Sequence, residues 1–245
     1  MMTNTLIYPC WPAPQRVRAA ATTRSGGVSP EPFDSLNLGL GTGDDPARVL
    51  DNRHRLARWL ELPTEPAWLD QVHGDGVVEA GECGFAPKAD AAVAFGPGRV
   101  CAVMTADCLP VLLCDLAASR VAAVHAGWRG LAGGVLEATI RRLDIPPGQL
   151  LAWLGPAIGP EAFEVGDEVR RAFLEQDIGA GECFRPSPGG RWLADLYELA
   201  RRRLAGMGVT RIFGGGWCTF TEGERFFSYR RDGTTGRMAS LIWLV

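Results

Sequence analysis

Histidine and lysine are nearly missing from this chain. Three histidines occur in 245 residues, at positions 54, 73 and 125. So few imidazoles exclude a multinuclear copper cluster, which needs many of them. Lys88 is the only lysine. Schiff-base chemistry or a phosphate-loop lysine would have to use it, and Ala86-Pro87-Lys88-Ala89-Asp90 suits neither. Every other basic residue is arginine, a skew that a GC-rich coding bias explains as well as any need for bidentate anion binding. The seven cysteines contain no Cys-x-x-Cys pair, which removes zinc-ribbon and thioredoxin-type sites. A formal charge of −3 leaves no footprint for nucleic acid or an anionic membrane. Asp107, Asp115 and Arg120 interrupt the most hydrophobic region, so no membrane span is expected. The stretch from Met1 to Pro14 lacks a basic and then apolar leader pattern. Free thiols and a cytoplasmic location are the expectation.

What is present suits one soluble domain over residues 1–245, with 47% hydrophobic and 22% charged residues. Asp45-Pro46 reads as an N-cap followed by proline at the first helical position, opening a helix to about Leu60. Its apolar stripe is Val49, Leu50, Leu56, Ala57 and Leu60, and His54 lies off it. Further helices are expected over Trp128–Leu143, Asp167–Glu175 and Leu193–Ala205. Strands are expected at Val17–Thr23, Trp68–Val72, Gly76–Glu79, Leu151–Ile158, Val209–Phe213, Phe226–Arg230 and Met238–Val245. Val100–Thr105, Val111–Asp115 and Val121–His125 are nearly continuously apolar, as central strands buried on both faces would be. Gly39-Leu40-Gly41-Thr42-Gly43 imitates a dinucleotide fingerprint but follows no convincing strand, so the match is read as chance. The fold class is α/β (α+β), a single domain of mixed β-sheets flanked by helices in a layered sandwich.

The chemistry gathers around glycine turns. His73 lies in Gln71-Val72-His73-Gly74, His125 in Val124-His125-Ala126-Gly127-Trp128-Arg129-Gly130, and Thr105-Ala106-Asp107-Cys108-Leu109-Pro110 falls between them. Two imidazoles and one thiolate suit zinc and leave the fourth tetrahedral position open. Taken singly, each also reads as a core residue, a hydrogen-bonded histidine or a small apolar cysteine. Arg129, in the first turn of its helix, and Arg24, before a Gly-Gly loop, are candidate anion binders. For either one a surface salt bridge is an equal reading. Tyr229, in Phe226-Phe227-Ser228-Tyr229-Arg230, either packs with its strand or reaches a substrate.

At these residues the chain closely resembles the YfiH-type laccase-domain family, also called polyphenol oxidase or purine nucleoside phosphorylase. The likeness runs nearly end to end, through Thr23–Ser29, Leu36–Gly39, Asn52-Arg53, Gln71–His73, Asp90-Ala91, Thr105–Pro110, His125–Gly130, Gly155–Gly159, Cys218-Thr219, Phe227–Arg230 and Thr235–Arg237. The resemblance implies zinc held by His73, Cys108 and His125, with these residues and Asp107 as the catalytic set. Arg24, Asn37, Arg129 and Tyr229 are the expected substrate contacts. It further implies purine nucleosides and phosphate as substrates, and a monomer is expected. The implied activities are phosphorolysis of adenosine, inosine, guanosine and methylthioadenosine, with adenosine deamination beside it. Relatives also carry a peptidoglycan-editing label and an older copper polyphenol-oxidase label. A blue-copper site would want an axial methionine, for which only Met104 is near in sequence, so copper ranks below zinc. A cysteine hydrolase with Cys108 as nucleophile and His125 or His73 as base uses the same residues. A non-catalytic metabolite- or wall-binding protein is the third possibility.

Overall fold

The computed structural model describes residues 5–81 and 86–245; Cys83 lies outside the described residues. Strands β1 (Leu6–Ile7), β2 (Val17–Thr22), β5 (Val100–Thr105) and β13 (Met238–Leu244) form an antiparallel sheet in the order β1-β2-β13-β5. A six-stranded mixed sheet joins β3 (Val77–Glu79), β4 (Ala91–Ala94), β6 (Leu109–Asp115), β7 (Val121–Ala126), β8 (Leu150–Leu154) and β12 (Arg211–Gly214) in the order β12-β8-β6-β7-β4-β3. A small third sheet is made of β9 (Glu164–Val165), β10 (Phe184–Ser187) and β11 (Arg191–Ala194). The helices are α1 (Pro46–Trp59), α2 (Trp128–Gly133), α3 (Val135–Leu143), α4 (Asp167–Leu174), α5 (Leu196–Gly206) and α6 (Tyr229–Asp232).

The two larger sheets pack face to face, and helices close both outer sides. The pleat of β6 shows how: Leu109, Val111 and Leu113 face α2 to α5, whereas Leu112 and Cys114 meet Cys101, Val103 and Ile242 of the other sheet. Every residue of β6 and β7 is buried, as expected for strands covered on both faces. On the far side of the four-stranded sheet, α1 packs Leu56 against Leu36, Leu38 and Leu241. Its face is not the expected stripe. Leu50 is 45% exposed, while Asn52 and Arg53 are buried and donate to the carbonyls of Asn37 and Leu38. The helix thus holds the 35–38 loop by hydrogen bonds to its otherwise unpaired backbone. His54 is exposed, as read.

The structure corrects several expected elements. Val100–Thr105 is a strand as expected, but it lies at the edge of the four-stranded sheet rather than at the centre of one. The helix expected over Trp128–Leu143 breaks at Gly134, whose φ of +98° is left-handed and ends one helix before the next begins. Leu193–Ala205 is strand up to Ala194, after which Asp195 caps α5 by accepting from the Glu198 N–H. Trp68–Val72 forms only isolated bridges, because side chains take the place of a ladder. Gln71 grips the N–H and carbonyl of Met104, and the Asp90 carboxylate takes the N–H groups of Val72, His73 and Gly74. Phe226–Arg230 is no strand either: Phe226 and Phe227 are wholly buried, and Ser228 caps α6. The Gly39–Gly43 loop carries a short 3-10 turn with no strand before it, so it is no dinucleotide fingerprint.

Candidate functional site

Antiparallel pairing brings the start of β6 and the end of β7 to one edge, where Pro110 faces His125. The start of β4 reaches the same edge, since Ala91 pairs with Val124. Cys108, His125 and Asp90 therefore meet although they are far apart in sequence. His73 arrives on the turn before β3 with φ +61°, and Asp107 bends the chain into β6 with φ +90°. Left-handed backbone at two non-glycine residues beside a cavity is stored strain of the kind functional sites carry.

The ligating atoms of His73, Cys108 and His125 all lie within 4.8 Å of one another. Cys108 Sγ is 3.9 Å from His73 Nε2, and the two imidazoles meet edge to face at 4.8 Å between centroids. Among the described residues this is the one cluster of its kind, a group able to hold a metal ion. Asp90, which sequence reasoning left out of the site, organises it. Its buried carboxylate lies 2.7 Å from His125 Nδ1 and accepts the three N–H groups of the His73 turn. A carboxylate on one ring nitrogen fixes the tautomer and turns the other toward the ligand cluster. Burial pushes the Cys108 thiol up, but His125 and His73 outweigh it and bring it down to about 6. Burial also works against a charged His125, yet the Cys108 thiolate and Asp90 raise it to about 9.

A cavity of about 520 Å³ opens over this group. Its lining includes Gln71, Met104, Asp107, Phe163, Trp128 and Tyr229, with Arg129, Arg230 and Arg237 contributing cations. Arg129 is exposed and stacks on Trp128 at 4.5 Å. The helix behind it, α2, has only six residues, too short for a strong terminal dipole. Tyr229 is 62% exposed at the cavity mouth. Asp107 accepts from Thr219 Oγ1 at 2.6 Å and from the Arg230 N–H at 2.7 Å, which ties the 217–232 segment to the site. Two expected contacts do not reach the cavity. Arg24 is spent on Asp34 and on the Gly223 carbonyl, and stacks on Phe227. Asn37 is fully buried; its Oδ1 accepts from the Gly39 and Arg237 N–H groups, so it shapes the wall from behind. Arg237 and Gln71 went unassigned because their neighbours come from distant parts of the chain.

Residues 18–245 match the family described as multi-copper polyphenol oxidoreductase laccase. The chain belongs to that family. It is 58% identical over 242 residues to a Pseudomonas aeruginosa protein named as a purine nucleoside phosphorylase, covering 98% of this chain and 99% of that one. Escherichia coli YfiH, which bears the same activity in its name, is 58% identical over 241 residues, with 98% and 99% covered. The crystal structure of a Neisseria meningitidis protein superposes with a TM-score of 0.95 at 51% identity, covering 98% of this chain and 99% of that one. YlmD from Geobacillus stearothermophilus does so at 0.91 and 32% identity, covering 100% and 97%. In this laccase-family chain Gly127 abuts the ligand group: a Cβ there would lie 3.0 Å from both Cys108 Sγ and the His73 ring. Its φ of −63° tolerates alanine, so Gly127→Ala should fold normally. We expect it to weaken metal binding roughly tenfold, the lower range for disturbing what supports a ligand. Competition with a chromophoric chelator measures this, and unchanged affinity would show that the ligands have room to give.

Proposed function

We propose that this chain is a zinc-dependent purine nucleoside phosphorylase acting on adenosine, inosine, guanosine and methylthioadenosine, with adenosine deamination as a second activity. The observation that carries the reading is the His73–Cys108–His125 group at the base of a cavity whose wall bears arginines. The relatives' names support the reaction class. A tetrahedral zinc site with bonds of about 2.3 Å to sulfur and 2.0–2.1 Å to nitrogen sets its ligand atoms roughly 3.3–3.6 Å apart. The group here needs only small side-chain rotations to reach that, and Asp90 already orients His125. A zinc ion held by His73, Cys108 and His125 would supply Lewis-acid chemistry for loss of the purine base and for deamination.

The remaining chemistry falls to the chain. A cation of the cavity wall holds phosphate against the anomeric carbon, which turns an encounter of two substrates into an oriented one. Trp128, Phe163 and Tyr229 offer flat surfaces for a purine. Asp107, with both oxygens engaged, serves by placing Arg230 rather than by carrying protons. Copper is disfavoured further because the Met104 sulfur accepts from Arg53 Nη2 at 3.7 Å, in contact with the core around Trp68.

A second reading, the cysteine hydrolase, is favoured by the low thiol pKa of Cys108. One assay separates the two. Inosine or adenosine incubated with the zinc-loaded protein should release free base and ribose 1-phosphate only when phosphate is present. Base release at the same rate in phosphate-free buffer would make the reaction a hydrolysis and remove this assignment.

A further inference from the structure

We propose that Arg237, backed by the Gly39–Gly43 loop, is the residue that binds the phosphate group in this cavity. The inference rests on the phosphorylase reading and names the anion subsite within it. It replaces the expectation from sequence that Arg24 or Arg129 would do so.

The argument begins with how Arg237 is held. Its backbone N–H donates to Asn37 Oδ1 at 2.9 Å. Its stem lies against Gly39, where a Cβ would come within 2.8 Å of the Arg237 Cγ. One end of the guanidinium is anchored as well, since Nη1 donates to the Thr235 and Gly236 carbonyls, each at 3.0 Å. Asn37 in turn is tied to Thr42 and Asp44, so loop and arginine form one braced wall. Thr42, Gly39 and Gly41 line the cavity with Arg237, and nothing lies within 4 Å of where a Gly41 side chain would begin. The loop and Arg237 thus share one wall of the cavity.

The second step is what Arg237 lacks. Nη1 aside, its side-chain nitrogens make no hydrogen bond among the described residues, and it forms no ion pair with them. Desolvation by burial lowers its pKa, outweighing the nearby Cys108 and Asp107. A partly desolvated cation with two donor nitrogens unpaired and no carboxylate in contact is unfavourable unless a ligand supplies the partner. Nε and Nη2 present the flat donor fork that matches two oxygens of a phosphate. No other arginine of the site is placed like this. Arg24 is committed to Asp34, Arg230 donates Nη1 to the Glu164 carbonyl, and Arg129 is exposed against Trp128.

Phosphate can enter as the free ion or leave as a sugar ester, so both probes are needed. Inorganic phosphate and ribose 1-phosphate are titrated separately by calorimetry into the metal-loaded and the metal-free protein. Arg237→Gln should weaken both by about 10–150-fold, the loss of hydrogen bonds to a charged group. Arg237→Lys should recover part of this, because charge returns without the fork. Arg129→Gln should change either by less than about threefold. Gly39→Ala, which displaces the Arg237 stem, should fall between them, and with Arg237→Lys it carries the test should Arg237→Gln fail to fold. Binding of both probes by Arg237→Gln within about threefold of the parent would overturn the proposal. So would an equal loss in Arg129→Gln, or binding that follows the metal and ignores Arg237. Arginine-dependent phosphate binding without nucleoside turnover would remove the phosphorylase reading and leave this one standing. Normal phosphorolysis by Arg237→Gln with an unchanged phosphate KM would do the reverse.

Discussion

Replacing Cys108 with alanine is expected to strip the protein of its metal and of nucleoside turnover. The thiolate is one of three donors, so its loss exceeds the roughly 10–100-fold effect of disturbing a ligand's outer support. His73→Ala and His125→Ala should behave alike, whereas exposed His54→Ala should leave metal content near one zinc per chain. Elemental analysis of protein purified without metal-affinity resin reads this directly. Chelation of the intact protein gives a second view of the same residue. Metal-free Cys108, brought down to about 6 by its histidine neighbours against burial, is largely thiolate at neutral pH and should alkylate quickly with iodoacetamide. Zinc should protect it, abolish labelling in step with occupancy, and restore turnover when added back. Rapid inactivation of fully zinc-loaded protein through Cys108, with zinc retained, would sink the metal reading and promote the thiol nucleophile.

Asp90→Asn should cost nearly as much without touching the metal. The carboxylate serves four donors: the Val72, His73 and Gly74 N–H groups and the His125 ring. Hydrogen bonds to the backbone turn and to His125 hold its pKa below the ordinary carboxylate range despite burial. An amide offers one oxygen and sets an NH₂ against the remaining donors. Each buried donor left unpaired costs about 1–3 kcal/mol, and His125 is freed to take the wrong tautomer. We expect metal affinity to fall about 10–100-fold, together with a lower melting temperature for the metal-free protein. Thermal unfolding and chelator competition, run on the same preparations, separate the two effects. Metal affinity equal to the parent's would show that Asp90 braces the fold alone.

The sequence by itself determined the chemistry available and much of the frame. Scarce histidines beside glycine turns, with Asp107-Cys108 between them, marked the ligand group, because ligand type and turn residues are local properties. The buried strands around Val111 and Val121 and the Asp45-capped helix were legible for the same reason: burial and capping repeat along the chain. Tertiary structure alone decided which groups face the cavity. Arg24 and Arg237 are the same residue type, yet one meets Asp34 and the other lines the cavity, a difference set by neighbours contributed from elsewhere in the chain. Asp90 acquired its role because β4 lies beside β7, a pairing between residues 91 and 124 that no local pattern encodes. The failed strand at Phe226–Arg230 has the same origin. Its apolar residues are buried as expected, but the Phe226 N–H goes to the Glu222 carbonyl, the Phe227 N–H to the Met238 sulfur and the Arg230 N–H to the Asp107 carboxylate, and burial does not specify where a backbone hydrogen bond goes.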